Sequence, residues 1–231
     1  MIVSIRLSFS NAYLVIEEGV VLVDTGSPGD APKIEEALAK AGVALDALKL
    51  ILLTHGHVDH AGSAAALRQR SGAPVAIHRG DAAMLAAGQS GPLHVTRPSG
   101  YLYRTFVPKT FRGVAPDLLV DADFRLDEFG IAGRVLETPG HTAGSISVLL
   151  ADHNAIVGDL LMGGYMGGAL LPHRPRYHYF YADSFDRLRH SLQGLLTQKL
   201  DRLFVGHGGP LTAAAVRQRF PSNSDAQHAT Y

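Results

Sequence analysis

The chain has 231 residues, with Lys+Arg and Asp+Glu both at 21, 12 histidines and no cysteine. That length allows one substantial domain with a buried core, and the balanced charge offers no electrostatic case for nucleic acid or an anionic membrane. Without cysteine, disulfides and thiolate metal sites are excluded, so any metal has to sit on nitrogen and oxygen.

The first segments are apolar or alternating: residues 2–7, 12–16 and 20–23, with Glu17-Glu18-Gly19 as a hairpin turn. They predict an antiparallel opening sheet, whose third strand runs into the turn-rich Asp24-Thr25-Gly26-Ser27-Pro28-Gly29. Residues 31–42 show helical spacing through Ile34, Ala37, Leu38 and Ala41, with Gly42 as the stop. The near-continuous apolar run 48–54 suits a strand covered on both faces. A helix over about 61–70, a strand at 74–78 and a short helix at 81–87 follow. Strands resume at 135–138; residues 145–150 and 155–157 read as a hairpin turning at Asp152-His153-Asn154. A helix over 183–199, a strand at 202–205 and a helix at 212–219 complete a single domain over 1–221, and the polar stretch 222–231 reads as a disordered tail.

Two stretches, 88–118 and 163–181, carry Gly, Pro and aromatic clusters without a clear period. Loops this long are often lids or substrate loops; packing against a neighbouring subunit or the domain's own surface is the competing reading, and a homodimer is left open. The start, Met1 to Arg6, does not read as a signal peptide, and no apolar run approaches the roughly 20 residues that cross a bilayer. The expectation is a cytoplasmic protein acting on a small molecule, with neither nucleic acid nor membrane as partner.

The informative run is Thr54-His55-Gly56-His57-Val58-Asp59-His60, directly after the buried strand. On a helix, side chains two apart point roughly 200° apart, so His55 and His57 share a metal only in a loop, where Gly56 permits a tight backbone. Asp59 and His60, at the start of the next helix, turn toward the same cleft. Three further polar residues follow apolar strands: His141 in Thr138-Pro139-Gly140-His141-Thr142, Asp159 after 155–157, and His207 in Gly206-His207-Gly208-Gly209-Pro210. An aspartate at a buried strand end is costly unless it is paired or binds metal.

This ordered set, His55-x-His57-x-Asp59-His60, His141, Asp159 and His207, resembles the metallo-β-lactamase-fold superfamily, as do Asn11-Ala12-Tyr13-Leu14-Val15 and Asp24-Thr25-Gly26. The resemblance covers roughly residues 2–215. It implies an α/β, four-layer αβ/βα sandwich of two mixed sheets with the metal site at one edge. It also implies His55, His57 and His141 on one metal, Asp59, His60 and His207 on a second, and Asp159 bridging. Asp24 is then a hydrogen-bonding support behind the ligands; a plain turn aspartate is the alternative.

An all-His/Asp set suits two divalent ions, Zn²⁺ first and Fe or Mn as alternatives. The expected chemistry is attack of a metal-bridging hydroxide on an ester, lactone or thioester carbonyl, with Asp59 also orienting the nucleophile and shuttling a proton. The bridging aspartate makes the pattern more similar to glyoxalase II and to lactonases than to lactamases. Tyr165 is a candidate substrate contact by position, with core or lid packing as its other reading; Tyr103, Phe106 and Tyr179 are candidates from the aromatic loops. A β-lactamase, a phosphodiester hydrolase and a mono-iron persulfide dioxygenase remain the alternative activities.

Overall fold

The computed structural model describes residues 1–221 apart from Arg97, Thr105, Phe106 and Asp123, and without the side chains of Ser99, Leu102 and Tyr103. The expectations placed on Tyr103, Phe106 and the tail 222–231 therefore lie outside the described residues.

The first half runs β1 (Ile2–Arg6), β2 (Asn11–Ile16), β3 (Val20–Val23), α1 (Ala31–Lys40), β4 (Leu48–Leu52), α2 (Val58–Ala61), α3 (Ala64–Ser71), β5 (Val75–His78), α4 (Ala82–Ala87), β6 (His94–Val95), α5 (Ser99–Arg104) and β7 (Leu118–Val120). The second runs β8 (Gly133–Glu137), β9 (Ile146–Leu150), β10 (Asn154–Gly158), β11 (Met162–Tyr165), β12 (Leu170–Arg176), β13 (Phe180–Tyr181), α6 (Phe185–Leu196), β14 (Arg202–Val205), β15 (Leu211–Thr212) and α7 (Ala213–Arg219).

Two mixed sheets result. One has the order β1-β2-β3-β4-β5-β7, the other β15-β14-β10-β9-β8. The opening strands are antiparallel, while β3, β4, β5 and β7 are parallel. Because β4 is flanked on both sides, its alternate side chains enter different layers. Ile51 packs beneath Ile34 and Leu38 of α1 and Leu67 of α3, whereas Leu50 and Leu52 face Val135, Val148 and Ile156 of the second sheet. Burying each such side chain contributes about 1.5–3 kcal/mol. The outer face of the second sheet is covered by Leu188, Leu192 and Leu195 of α6 and Val216 of α7. The order helix–sheet–sheet–helix is the expected α/β sandwich.

Local chemistry sets the element ends. Pro sits in the first turn of α1, where its missing N–H costs nothing. The Ser184 hydroxyl accepts from Arg187 N and opens α6 two residues later than expected, and Thr212 does the same for α7 through Ala215 N. The expected helix over 61–70 is split at Gly62 and Ser63, so that Asp59 and His60 lie on the separate single turn α2.

The two unassigned stretches are not plain loops. β11 and β12 form an antiparallel hairpin, and β6 from the first stretch pairs with β13 from the second. Met162, Tyr179 and Phe180 pack there against Leu93, Val95 and Val107. These strands are two to seven residues long and rich in Gly, Pro and His, so no period-2 apolar pattern marks them. The three-residue β7 escapes a sequence reading for the same reason of length.

Candidate metal centre

The donors gather where the C-terminal ends of β3, β4, β8, β10 and β14 meet at one edge of the sandwich. The Ile146 N–H donates to Thr54 O at 2.9 Å and the Asn11 N–H to Gly206 O at 2.7 Å, tying the two sheets together at this edge. His55, His57, His60, His141, Asp159 and His207 are all buried, and Asp59 is partly exposed.

Imidazole orientation follows from the second nitrogen of each ring. His60 Nδ1 lies 2.8 Å from Asp24 Oδ2, His141 Nδ1 3.0 Å from Phe180 O, and His207 Nδ1 2.8 Å from Phe9 O. Each oxygen accepts an Nδ1–H and so leaves Nε2 with a lone pair directed inward. His55 Nδ1 lies 3.1 Å from Thr54 Oγ1, whose hydroxyl donates to Asp24 Oδ2 at 2.8 Å. His57 is turned the other way, with Nδ1 3.0 Å from His141 Nε2.

Asp24 accepts from Thr54 N at 2.8 Å as well, so one carboxylate holds the strand end and both flanking histidines' surroundings. It does so from the left-handed region, at φ 63°, a conformation that is costly for a residue other than glycine and is found where surroundings enforce it. Gly56 needs no such freedom, contrary to the reading from sequence: it is absent from the positive-φ residues. A Cβ there would instead stand 3.1 Å from Met84 Cβ, so the missing side chain serves the close approach of α4.

Sequence reasoning missed two residues. Asp81 is buried at the start of α4 and accepts from Gly56 N (2.8 Å), Gly144 N (2.9 Å) and the Thr142 hydroxyl (2.7 Å). It thereby clamps the loop of His55 and His57 to the loop of His141. Burial pushes its carboxyl above the usual range, against those three donors. The signal existed: Asp81 is a polar residue following the apolar strand β5, the context that singled out Asp159. The second, His178, lies between β12 and β13 with Nε2 3.5 Å from Asp159 Oδ2. Its surroundings, Tyr177-His178-Tyr179, carry no periodicity that could aim it.

Among the described residues, four groups of donor atoms could each hold a cation: His55, His57 and His141; His55, His60 and Asp159; Asp59, His60 and His207; His141, Asp159 and His178. Asp159 lies among both halves of the set, with Oδ2 3.4 Å from His141 Nε2 and 3.3 Å from His207 Nε2, and Oδ1 3.4 Å from His60 Nε2. His207 Nε2 is 3.4 Å from Asp59 Oδ2. Donors about 2.0–2.2 Å from a tetrahedral ion stand about 3.3–3.6 Å from one another, so these separations suit a shared cation better than direct hydrogen bonds. Moreover, Nε2 of His55, His57, His60 and His207 and Oδ1 of Asp159 are buried without a hydrogen-bond partner, which a protein tolerates where another ligand satisfies them. Gly206 keeps the space open, since a Cβ would collide with Asp159 Oδ1 and stand 2.6 Å from His60 Cε1. The residues fit divalent metal.

Charge divides within the cluster. Burial and the neighbouring His60, His141 and His57 hold His55 well below the usual imidazole range, and burial brings His57 down to about 4. Burial also holds His141 well below that range despite Asp159. At His60 and His207 burial opposes charge, but Asp159, with Asp24 and Asp59 at His60 and Asp59 at His207, outweighs it; His207 rises to about 10. Burial likewise opposes ionisation of Asp59 and Asp159, yet His60 and His207 hold both carboxyls below the usual range. The two carboxylates thus favour cationic charge on the side of His60 and His207, the charge that a divalent ion on their inward Nε2 lone pairs supplies.

The donors open on a cavity of about 410 Å³ whose walls include Phe9, Leu93, Val107, Met162, Met166 and Phe180. Tyr179 lines it. Tyr165 does not: its ring lies under the Arg176 guanidinium, 3.7 Å from ring centroid to Cζ, so it packs within the β11–β12 hairpin instead of facing substrate.

Among known proteins, a probable metallo-hydrolase of Methanocaldococcus jannaschii is 28% identical over 203 residues, covering 86% of this chain and 87% of that protein. A hydroxyacylglutathione hydrolase of Acidiphilium cryptum is 33% identical over 156 residues, 67% of this chain but 50% of its own length. Of solved structures, the B3 metallo-beta-lactamase BLEG-1 superposes with a TM-score of 0.71 at 24% identity, covering 96% of this chain and 98% of its own; at that identity the likeness shows the fold alone. The metallo-beta-lactamase superfamily matches residues 5–207, a span that opens on β1 and closes on His207. With the sandwich, the His/Asp clusters at its edge and that match in agreement, the chain belongs to the metallo-beta-lactamase superfamily of hydrolases.

Proposed function

We propose that this protein is a dinuclear hydrolase of ester, lactone or thioester bonds. The observation that carries the reading is Asp159, whose two oxygens face His60 on one side and His141 and His207 on the other. His55, His57 and His141 would hold the first cation, Asp59, His60 and His207 the second, and Asp159 both; zinc fits the nitrogen-rich set, with iron or manganese as substitutes. Two such cations supply activated water near neutral pH and polarise a carbonyl oxygen.

The residues do the rest. Asp24 and Asp81 hold the ligand loops rigid, so that donors need not reorganise during reaction. Asp59, partly exposed toward the cavity, is placed to orient the attacking water and accept its proton. The cavity's apolar walls, with Arg6 as its single Lys/Arg side chain among the described residues, favour an uncharged acyl or alcohol moiety over a polyanionic one.

A substrate panel tests this reading: p-nitrophenyl esters, a homoserine lactone, a glutathione thioester, a phosphodiester and a cephalosporin, with zinc-loaded and chelator-treated protein. Chelator-sensitive cleavage of the carbonyl compounds, with two metals per chain, is expected. Cleavage confined to the phosphodiester or the cephalosporin would overturn the substrate class. One iron per chain with oxygen consumption would overturn the dinuclear hydrolase.

A further inference from the structure

We propose that His178 is a catalytic residue of this centre, a hydrogen-bond donor to the reacting carbonyl oxygen, and not an additional metal ligand. The inference rests on the carbonyl-hydrolase reading above and assigns the donor that such a reaction needs.

The tautomer comes from the backbone. The Phe180 N–H donates to His178 Nδ1 at 3.2 Å. Phe180 O, also 3.2 Å from that nitrogen, already accepts from His141 Nδ1 at 3.0 Å. A proton on His178 Nδ1 would face the Phe180 N–H and leave that buried donor unpaired, which costs about as much as a lost hydrogen bond. The arrangement that satisfies both groups puts the proton on Nε2. A protonated Nε2 has no lone pair to offer a cation; it donates.

That N–H is aimed at the reacting region. The His178 ring is wedged between a ligand from each proposed metal, edge-on to His141 with ring centroids 5.0 Å apart at 90°, and tilted over His207 at 5.0 Å and 30°. Nε2 lies 3.5 Å from Asp159 Oδ2, too long to satisfy it well, and the side chain lines the cavity beside Tyr179 and Phe180. The donor is also rigid: His178 is buried, and the adjoining strand β13 is paired to β6. A fixed N–H in the wall of a mainly apolar cavity is the arrangement that stabilises charge developing on a carbonyl oxygen. When water adds to the carbonyl carbon, the carbonyl π pair moves to oxygen, where His178 donates without losing its proton; Asp59 takes the proton of the attacking water. Tyr165, the residue that position alone suggested for a substrate contact, is turned away into its hairpin.

The test compares wild type, His178→Phe and His178→Asn, each zinc-loaded, by three measurements: metal content, the kcat and KM of p-nitrophenyl hexanoate hydrolysis, and calorimetric affinity for hexylphosphonate, whose oxygens imitate the tetrahedral state. His178→Phe is expected to keep the wild-type metal content while kcat falls about 10²–10³-fold with KM little changed. Its phosphonate affinity should fall by at least about tenfold, and His178→Asn, which retains an N–H donor, should recover part of both losses. A drop in metal content in both variants would overturn the assignment in favour of a ligand role. Unchanged kcat and phosphonate affinity would overturn it outright. If wild type cleaves no carbonyl substrate, the hydrolase reading fails on its own, and the phosphonate measurement still decides whether Nε2 donates to a tetrahedral oxyanion.

Discussion

In the six-stranded sheet one loop, following β4, carries His55, His57, Asp59 and His60; in the five-stranded sheet His141, Asp159 and His207 arrive singly from the ends of β8, β10 and β14. The first arrangement is local: four donors lie within six residues, so the loop needs anchoring more than assembly. Asp24 anchors it at Thr54 and His60, and Asp81 at Gly56. The second arrangement is global, since its donors converge only after β14 pairs with β10 and β8 with β9. Asp81 also reaches across to Thr142 and Gly144. A centre divided in this way should fail differently according to which half, or which link between them, is removed.

The severest break is at the residue both halves share. Asp159→Ala should leave each half its own histidines but lower metal content below two per chain, with turnover falling at least about 10³-fold, some 4 kcal/mol in the barrier; elemental analysis with steady-state kinetics checks this. Asp81→Ala strips three buried donors of their acceptor and unlinks the two loops. It should destabilise the fold by about 1–3 kcal/mol for each buried donor left unpaired and weaken metal binding at both positions, read by denaturant unfolding and chelator competition. Asp24→Ala touches only the first half. It should reduce metal affinity or activity by about 10–100-fold, with the loss concentrated on the cation held by His60, as metal-specific spectroscopy of cobalt-substituted protein would register.

The smallest effect concerns Asp30, on the loop leading to α1. Burial opposes its ionisation, but hydrogen bonds from Ser8, Lys33 and Ser27 N hold its carboxyl below the usual range. The unfolded chain therefore takes up that proton first on acidification. The stabilisation is complete above the ordinary aspartate pKa of about 3.9 and is lost as pH falls through the lower folded value. Asp30→Asn should flatten the acid limb of stability in thermal denaturation below about pH 4, with metal content at neutral pH unaltered.

Much of this was legible in residue order. The run at 55–60 shows itself as donors because four metal-competent side chains crowd the end of a buried strand, and β4 shows itself because a strand flanked on both sides is apolar throughout. His141, Asp159 and His207 were legible as polar residues ending apolar strands. His178 was not, because nothing in a short connection between two strands, flanked by aromatics, says which way a side chain points, and for the same reason Tyr165 was left between a substrate contact and a packing role. The segments 88–118 and 163–181 read as loops because β6 and β13, two residues each, exist only by pairing with one another.

Residue order alone thus determined the donor chemistry: nitrogen and oxygen ligands, no thiolate, and the sandwich pattern of strands and helices that carries them. Local composition and periodicity suffice for the donor types and the succession of strands and helices; the sandwich itself was implied by the resemblance of the ordered donor set to a known superfamily. The tertiary structure decided which of these donors meet, that Asp159 stands among them, that Asp81 clamps two of their loops together, and that His178, not Tyr165, lines the cavity. Those outcomes depend on sheet pairing between residues far apart in the chain, and on orphaned Nε2 and carboxylate atoms whose burial only the assembled core creates.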